Sequence, residues 1–198
     1  MNEDMHFPAT SMPDKDWWQA LWPDPQAVLS AVGLKANMQA VDLCCGDGHF
    51  TQAMCQMIKS GQVWGLDMNQ ELLNQTQALC QPFEHFQPVF ADARELPKHI
   101  AIPLDFVFMA NTFHGVPDKT GLSQAVHTSL KPGARFAIVN WYQKPREETI
   151  VLNQARGPAI EMRMSPEQVQ KLIEPAGFTL EKVVEVGAYH YGVVFLKS

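Results

Sequence analysis

The chain has 198 residues, 46% of them hydrophobic and 18% charged, enough for one domain with a full core. A formal net charge of −6 without a Lys/Arg cluster argues against a nucleic-acid surface. No apolar run approaches the length of a membrane span, and the acidic start Met1-Asn2-Glu3-Asp4 reads as neither signal nor transit peptide. The cysteines, Cys44, Cys45, Cys55 and Cys80, have no metal or redox spacing. The expectation is a cytoplasmic protein with free thiols and no metal site.

Residues 1–13 read as irregular. Trp17, Trp18, Leu21 and Trp22 then recur at helical spacing, with Asp14 or Asp16 as the expected N-cap. Pro23-Asp24-Pro25 breaks that helix, and Pro25 opens a second one through Val32, closed by Gly33. Three tryptophans in so short a stretch either pack the segment onto the domain or line an acceptor pocket. Residues 1–35 are therefore read as a helical cap and 36–198 as the main domain.

Ala40-Val41-Asp42-Leu43 is an apolar run short enough for a buried parallel strand. It stops in small residues, Cys44 to Gly48, before a helical pattern of Phe50, Ala53, Met54, Met57 and Ile58. In strand, glycine turn and helix, the backbone can approach a ligand closely and the first helix amides point at it. A tight turn with no ligand would show the same pattern. The dinucleotide fingerprint fails: starting at Gly46 it needs glycine at Thr51, and starting at Cys44 it needs glycine at Cys44 and His49.

Ser60-Gly61 turns the chain into a second strand, 62–66, ending at Asp67. Residues 69–80 read as a helix with Leu72, Leu73, Thr76, Leu79 and Cys80 inward. A third strand, 86–90, exits through Ala91-Asp92-Ala93. A fourth, 104–110, exits through Asn111-Thr112-Phe113-His114. A helix from 117 or 118 to 130 follows, then Lys131-Pro132-Gly133 and a fifth strand, 135–141. Residues 143–164 are polar and poorly periodic, a long loop. Ser165-Pro166-Glu167 opens a helix through 175, and 178–186 and 189–196 form a hairpin at Gly187. This alternation predicts a parallel sheet with helices on both faces and an antiparallel last strand. Ligands of such sheets bind at the carboxyl ends of the strands.

Those exits carry polar residues. Asp67, 19 residues after Gly48, can accept hydrogen bonds from two ribose hydroxyls, or it can cap the next helix. Met68 can pack on an adenine face. Asp92 suits the exocyclic amine of adenine with the Ala93 amide beside it, or it caps the segment before Pro97. Asp42, Gly46-x-Gly48, Asp67, Asp92, the strand 104–111 and Leu130-Lys131-Pro132-Gly133 occur in an order that resembles the class I methyltransferases. These enzymes use S-adenosylmethionine (SAM), and the likeness is nearest to the small-molecule group that includes the ubiquinone and menaquinone enzymes. It covers roughly residues 36–198.

The resemblance implies a Rossmann-like α/β fold with seven strands in the order 3-2-1-4-5-7-6, strand 7 antiparallel. It implies SAM contacts at Asp42, Cys44, Gly46, Gly48, Asp67, Met68, Asp92, Ala93 and Asn111. Cys44 stands where the family usually has glycine, and cysteine is expected to keep a negative φ there. The implied reaction is in-line methyl transfer to a small-molecule acceptor, with His114 as base or positioning group. Asn111 lies beside it, and Trp141 and Tyr142 form an aromatic wall. Arg146, Arg156 and Arg163 could bind an acceptor carboxylate or phosphate, or be ordinary solvated charges. The tryptophan segment and 143–164 are the expected roof. A SAM-binding regulatory or scaffold protein without turnover is the alternative reading. A nicotinamide oxidoreductase is disfavoured by the missing glycine, and an amino-methylating enzyme by the absence of Asn/Asp-Pro-Pro-Tyr at 111–114.

Overall fold

The computed structural model describes residues 15–198. The expected N-cap Asp14 and the irregular segment 1–13 lie outside them. Strands β1 (Gln39–Leu43), β2 (Gln62–Asp67), β3 (Phe86–Phe90), β4 (Leu104–Ala110), β5 (Leu130–Trp141), β8 (Phe178–Gly187) and β9 (His190–Lys197) form one sheet. Its order is β3-β2-β1-β4-β5-β9-β8. β1 to β5 run parallel, and β9 lies antiparallel between β5 and β8. This is the order and polarity that the class I likeness implies, with β8 and β9 as its sixth and seventh strands.

Helices cover both faces because β1, β2, β4 and β5 are apolar on both sides. On one face Leu96 of α5 (Leu96–His99), Leu122 and Val126 of α6 (Lys119–Ser129), and Val169 and Ile173 of α7 (Pro166–Ile173) pack on Val41, Val107, Ile138 and Val193. On the other, α1 (Lys15–Leu21), α2 (Pro25–Ala31) and α3 (His49–Met57) pack on Ala40, Phe106, Val139 and Val194. α4 (Gln70–Cys80) buries Leu73, Thr76 and Cys80. Leu79, expected inward, is 38% exposed, because the buried stripe runs i, i+3, i+7 from Leu73 and leaves Leu79 at its edge.

Local chemistry sets the ends. Asp24 caps α2, accepting from the Ala27 amide at 3.0 Å, and Pro25 takes the first position. Asp16 is not a cap: it lies in the first turn of α1. Ser165 and Gln168 form a capping box on α7, which ends at Ile173, earlier than periodicity predicts, in a 3-10 turn at Glu174–Ala176. β5 opens at Leu130, paired with Leu104 before the register shifts at the Lys131-Pro132-Gly133 turn. The 143–164 stretch is not structureless. It holds a minimal hairpin, β6 (Ile150–Val151) and β7 (Gln154–Ala155), between 3-10 turns at Arg146–Glu148 and Ile160–Met162. No helix among the described residues is long and apolar enough to cross a membrane.

Candidate active site

β1 carries Asp42 and hands the chain to a turn that is left-handed at Cys44 (φ +58), Gly46 (+58) and Gly48 (+91). Cys44 thus adopts the glycine-like backbone that a cysteine was expected to avoid. The reason lies in the ladder: the Cys45 amide must donate to the Leu66 carbonyl at 3.1 Å before the chain climbs into α3. The left-handed conformation costs a side-chain-bearing residue about 1–2 kcal/mol, which the surrounding bonds offset. At Gly48 a Cβ would meet Thr76 Oγ1 at 2.9 Å and Thr76 Cα at 3.0 Å. Only glycine allows α4 to lie this close. The Thr76 hydroxyl in turn donates to the Gly46 carbonyl at 2.7 Å.

Asp67, at the end of β2, clasps the same turn. Its Oδ2 accepts from the Gly46 amide at 2.9 Å and its Oδ1 from the Asn69 amide at 2.8 Å. The helix cap is Asn69, which accepts from the Glu71 and Leu72 amides. The capping reading of Asp67 is thereby replaced. A carboxylate has about four acceptor positions, so two amides leave capacity for a diol. Asp42 is buried and accepts from the Thr51 hydroxyl at 2.7 Å. Asp47, also buried, accepts from the His49 amide at 3.3 Å.

Among the described residues no lysine or arginine pairs with Asp42, Asp47 or Asp67. Burial therefore pushes the Asp42 carboxyl up to about 7, against the Thr51 bond and with the Asp67 and Asp47 charges adding to the rise. Burial likewise raises Asp67 against its amide donors. Burial and these carboxylates hold the Cys44 and Cys45 thiols protonated. All four cysteines are free, and among the described residues no group of His, Cys, Asp and Glu is arranged to hold a metal ion.

Asp92 does cap the short turn after β3, accepting from the Arg94 amide at 2.8 Å. It also takes the Arg94 guanidinium, with Nη2 to Oδ2 at 2.6 Å. Burial raises this carboxyl, but the Arg94 bonds outweigh it and hold it below the ordinary aspartate range. The pairing was readable two residues downstream and was missed. Ala93 is buried beside it and Met68 is half-buried.

The second group gathers where β4 and β5 end. Asn111 is left-handed (φ +57), its amide donates to the Val139 carbonyl at 2.8 Å, and both its side-chain polar atoms are buried without partners. His114 sits in the 3-10 turn Phe113–Gly115, with Nε2 buried and unpartnered. Lys119 Nζ braces that turn, donating to the His114 carbonyl at 3.2 Å and the Val116 carbonyl at 2.7 Å. Burial lowers the His114 pKa, nearby Asn140 opposes this, and the Lys119 and Arg163 charges add to it. The imidazole is therefore neutral at pH 7. Tyr142 is half-buried against Tyr191, with ring centroids 5.4 Å apart.

Sequence reasoning overlooked Asn140 and His190 here. Asn140 is buried at the end of β5, and its amide atoms meet no partner. His190 opposes Trp141 across the β5–β9 ladder. Its ring lies 4.0 Å from that of Trp141 and 4.4 Å from that of Trp22, with both nitrogens unpartnered. The available signal was polarity inside two otherwise apolar strands. Of the three arginines, Arg146 is exposed, Arg156 is half-buried over Trp17 at 5.2 Å, and Arg163 is buried over Trp141 at 5.0 Å.

The model for the methyltransferase domain family matches residues 34–177. The chain belongs to that family. With the observed sheet order, its fold is that of the class I methyltransferases. It is 32% identical over 117 residues to demethylmenaquinone methyltransferase of Staphylococcus epidermidis, covering 59% of this chain and 48% of that one. It is 30% identical over 113 residues to the enzyme of the same name from Lysinibacillus sphaericus, covering 57% and 48%. The chain thus spans about half the length of these curated relatives. A SAM-dependent methyltransferase from Aquifex aeolicus superposes with TM-score 0.78 at 26% identity, covering 93% of this chain and 94% of that one. Fibrillarin from Aeropyrum pernix, solved with SAM, superposes with TM-score 0.66 at 14% identity, covering 91% and 76%. That likeness shows the fold alone.

The Asp42 carboxyl yields a prediction for the ligand-free methyltransferase. Its pKa is raised to about 7 in the folded chain and lies at about 3.9 in the unfolded one. Between those values the folded state binds more protons, so this group makes stability fall as pH rises, by up to about 1.4 kcal/mol per pH unit. Asp42→Asn should therefore gain on wild type in urea unfolding between pH 5 and pH 8. An equal difference at the two pH values would contradict the burial of an unpaired carboxylate.

Proposed function

We propose that this methyltransferase transfers the methyl group of SAM to a small-molecule acceptor held over the carboxyl ends of β4 and β5. The observation that carries the reading is the buried, unpaired carboxylate group at the β1 turn, which suits a ligand of net positive charge. SAM bound there supplies an electrophilic methyl on a positively charged sulfur.

Asp67 would accept from the ribose hydroxyls with the positions its two amide donors leave open. The left-handed backbone at Cys44, Gly46 and Gly48 lets main chain, not side chains, approach the ligand. Met68 would pack on the adenine face, and Ala93 would offer its amide to the ring edge. Asp92, whose two oxygens already take four contacts from Arg94, would have to share an acceptor position with the exocyclic amine. Asn111 would bind the methionine end of SAM beside the acceptor. His114, neutral and with Nε2 free, would take a proton from the acceptor or orient it. Alignment supplies the larger share of the acceleration, because bringing acceptor and methyl into line removes most of the entropic barrier.

Trp141, packed with Trp22 and His190, and Tyr142, packed against Tyr191, lie on opposite faces of the sheet. They would flank the acceptor from two sides and not as one wall, and α1 with residues 143–164 would roof it. One contact joins these segments, the Arg156 guanidinium over the Trp17 ring at 5.2 Å. Two others anchor them to the domain: the Tyr189 hydroxyl donates to the Ile150 carbonyl at 2.9 Å, and His49 Nε2 donates to the Trp22 carbonyl, just after α1, at 3.2 Å. The tryptophans also belong to the core, so residues 15–35 act in this proposal as a cap that is part of the fold. A small acceptor accords with the net charge of −6, which disfavours nucleic acid, and with the names of the curated relatives. The cytoplasm is the compartment this reading implies. The non-catalytic alternative leaned on Cys44 and on the lack of a strong base motif. The glycine-like backbone at Cys44 weakens the first ground, and the His114 test below addresses the second.

Calorimetry with S-adenosylhomocysteine tests the cofactor assignment. Asp67→Ala should lose about 1.5–3 kcal/mol of binding free energy. Unchanged affinity, or binding of NADH in its place, would defeat the assignment. For catalysis, radiolabelled SAM offered with phenol, thiol and carbon acceptors should give a rate that falls as pH drops below the ordinary histidine range. The lowered His114 pKa sets that direction, and His114→Gln should abolish the acid limb. A variant that keeps the wild-type profile would exclude His114 as the base.

A further inference from the structure

Arg163 is 2% exposed and forms no ion pair among the described residues. Its five N–H donors can be counted individually. Nε donates to the Pro158 carbonyl at 3.0 Å. Nη2 donates to Thr149 Oγ1 at 3.0 Å and to the Arg156 carbonyl at 3.2 Å. Both hydrogens of Nη1 remain, buried and without an acceptor. The guanidinium is therefore held by three bonds and by the Trp141 ring, while one end is kept open. Gly157 keeps the arrangement tight: at its left-handed φ of +88, a Cβ would come within 3.0 Å of both Arg163 Nη2 and the Trp141 ring.

Of the charges that reach Arg163, Arg146 opposes its protonation and the exposed Glu147 favours it without pairing. Nearby, Asn111, His114, Asn140 and His190 all bury polar atoms that complete no hydrogen bond among the described residues. None of them is acidic. The Arg163 charge reaches both His114 and His190, opposing protonation of each. Each unmet donor is costly to bury, and a buried guanidinium without a counter-ion is costlier still. The carboxylates of the site lie at the other end, around the β1 turn.

We infer that Arg163 is a specificity-determining residue and that the methyl acceptor carries an oxyanion, a carboxylate or a phosphate, which Nη1 receives beneath the 143–164 segment. This rests on the acceptor-side reading above. Planar, fixed and permanently charged, the guanidinium suits such a group better than a lysine would. Nη1 is buried, so on this inference the anion enters as the segment lifts and then serves as the counter-ion.

Ligand-observed NMR and calorimetry on the full chain saturated with S-adenosylhomocysteine would test this with matched pairs. The probes are 1-naphthoate against 1-naphthamide, indole-3-acetate against indole-3-acetamide, and phenyl phosphate against benzyl alcohol. The acid of at least one pair should bind tenfold or more tightly than its neutral partner, and Arg163→Gln should remove that preference. Which pair responds separates carboxylate from phosphate. Equal binding within every pair, no binding of any acid at millimolar concentration, or an acid preference that persists in folded Arg163→Gln would overturn the inference. Should Arg163→Gln fail to fold, the acid-against-amide comparison in wild type still decides. Failure of S-adenosylhomocysteine to bind would instead strike the cofactor reading, and the same pairs on the ligand-free chain would still report on Arg163.

Discussion

The bond from the Gly46 amide to the Asp67 carboxylate, at 2.9 Å, fixes the geometry on which the site depends. It joins the turn after β1 to the end of β2, two neighbouring parallel strands. Thr76 holds the same turn from α4 through the Gly46 carbonyl, and Thr51 holds Asp42 from α3. Two helices and two strands thus converge on five residues. Because Asp67 has acceptor positions to spare, one carboxylate can both shape the turn and recognise a ligand. A substitution there removes two functions together, so loss of affinity and loss of turn geometry are coupled.

Charge is distributed unevenly across the carboxyl ends of the strands. Around β1 and β2 lie buried carboxylates without cations. Around β4, β5 and β9 lie a buried guanidinium, two histidines held neutral and two unpartnered amides. Either group is unfavourable without partners, since buried polar groups are expected to be satisfied. On the two proposals above, a ligand of net positive charge would meet the first group and an acidic one the second. The low dielectric that makes unpaired polar groups costly also strengthens contacts to them once made.

Much of this was legible in the sequence, for identifiable reasons. β1, its turn and α3 could be read because a short apolar run, small residues and helical spacing coincide. The place of Asp67 followed from counting strands. The Asp67–Gly46 bond could not be read, because it joins residues 21 apart through strand register. Cys44 was misjudged because residue preference was given precedence over the ladder, and the ladder decides φ there. Two-residue strands such as β6 and β7 carry no periodicity, so their hairpin was invisible. Asn140 and His190 were hidden because a strand is recognised by its apolar residues, and the exceptions are easily passed over. Those exceptions are where function departs from packing.

The central claim is that the turn buries negative charge for a positively charged cofactor. Proton uptake or release on binding tests it most directly. At pH 7 Asp42, with its pKa raised to about 7, is about half protonated, and an arriving cation favours its ionised form. Calorimetry at that pH, in buffers of different ionisation enthalpy, should show release of up to about half a proton when SAM binds. Less should be released with uncharged-sulfur S-adenosylhomocysteine, and less from Asp42→Asn than from wild type when SAM binds. Equal proton release with the two ligands, or release from Asp42→Asn equal to that from wild type, would contradict the account.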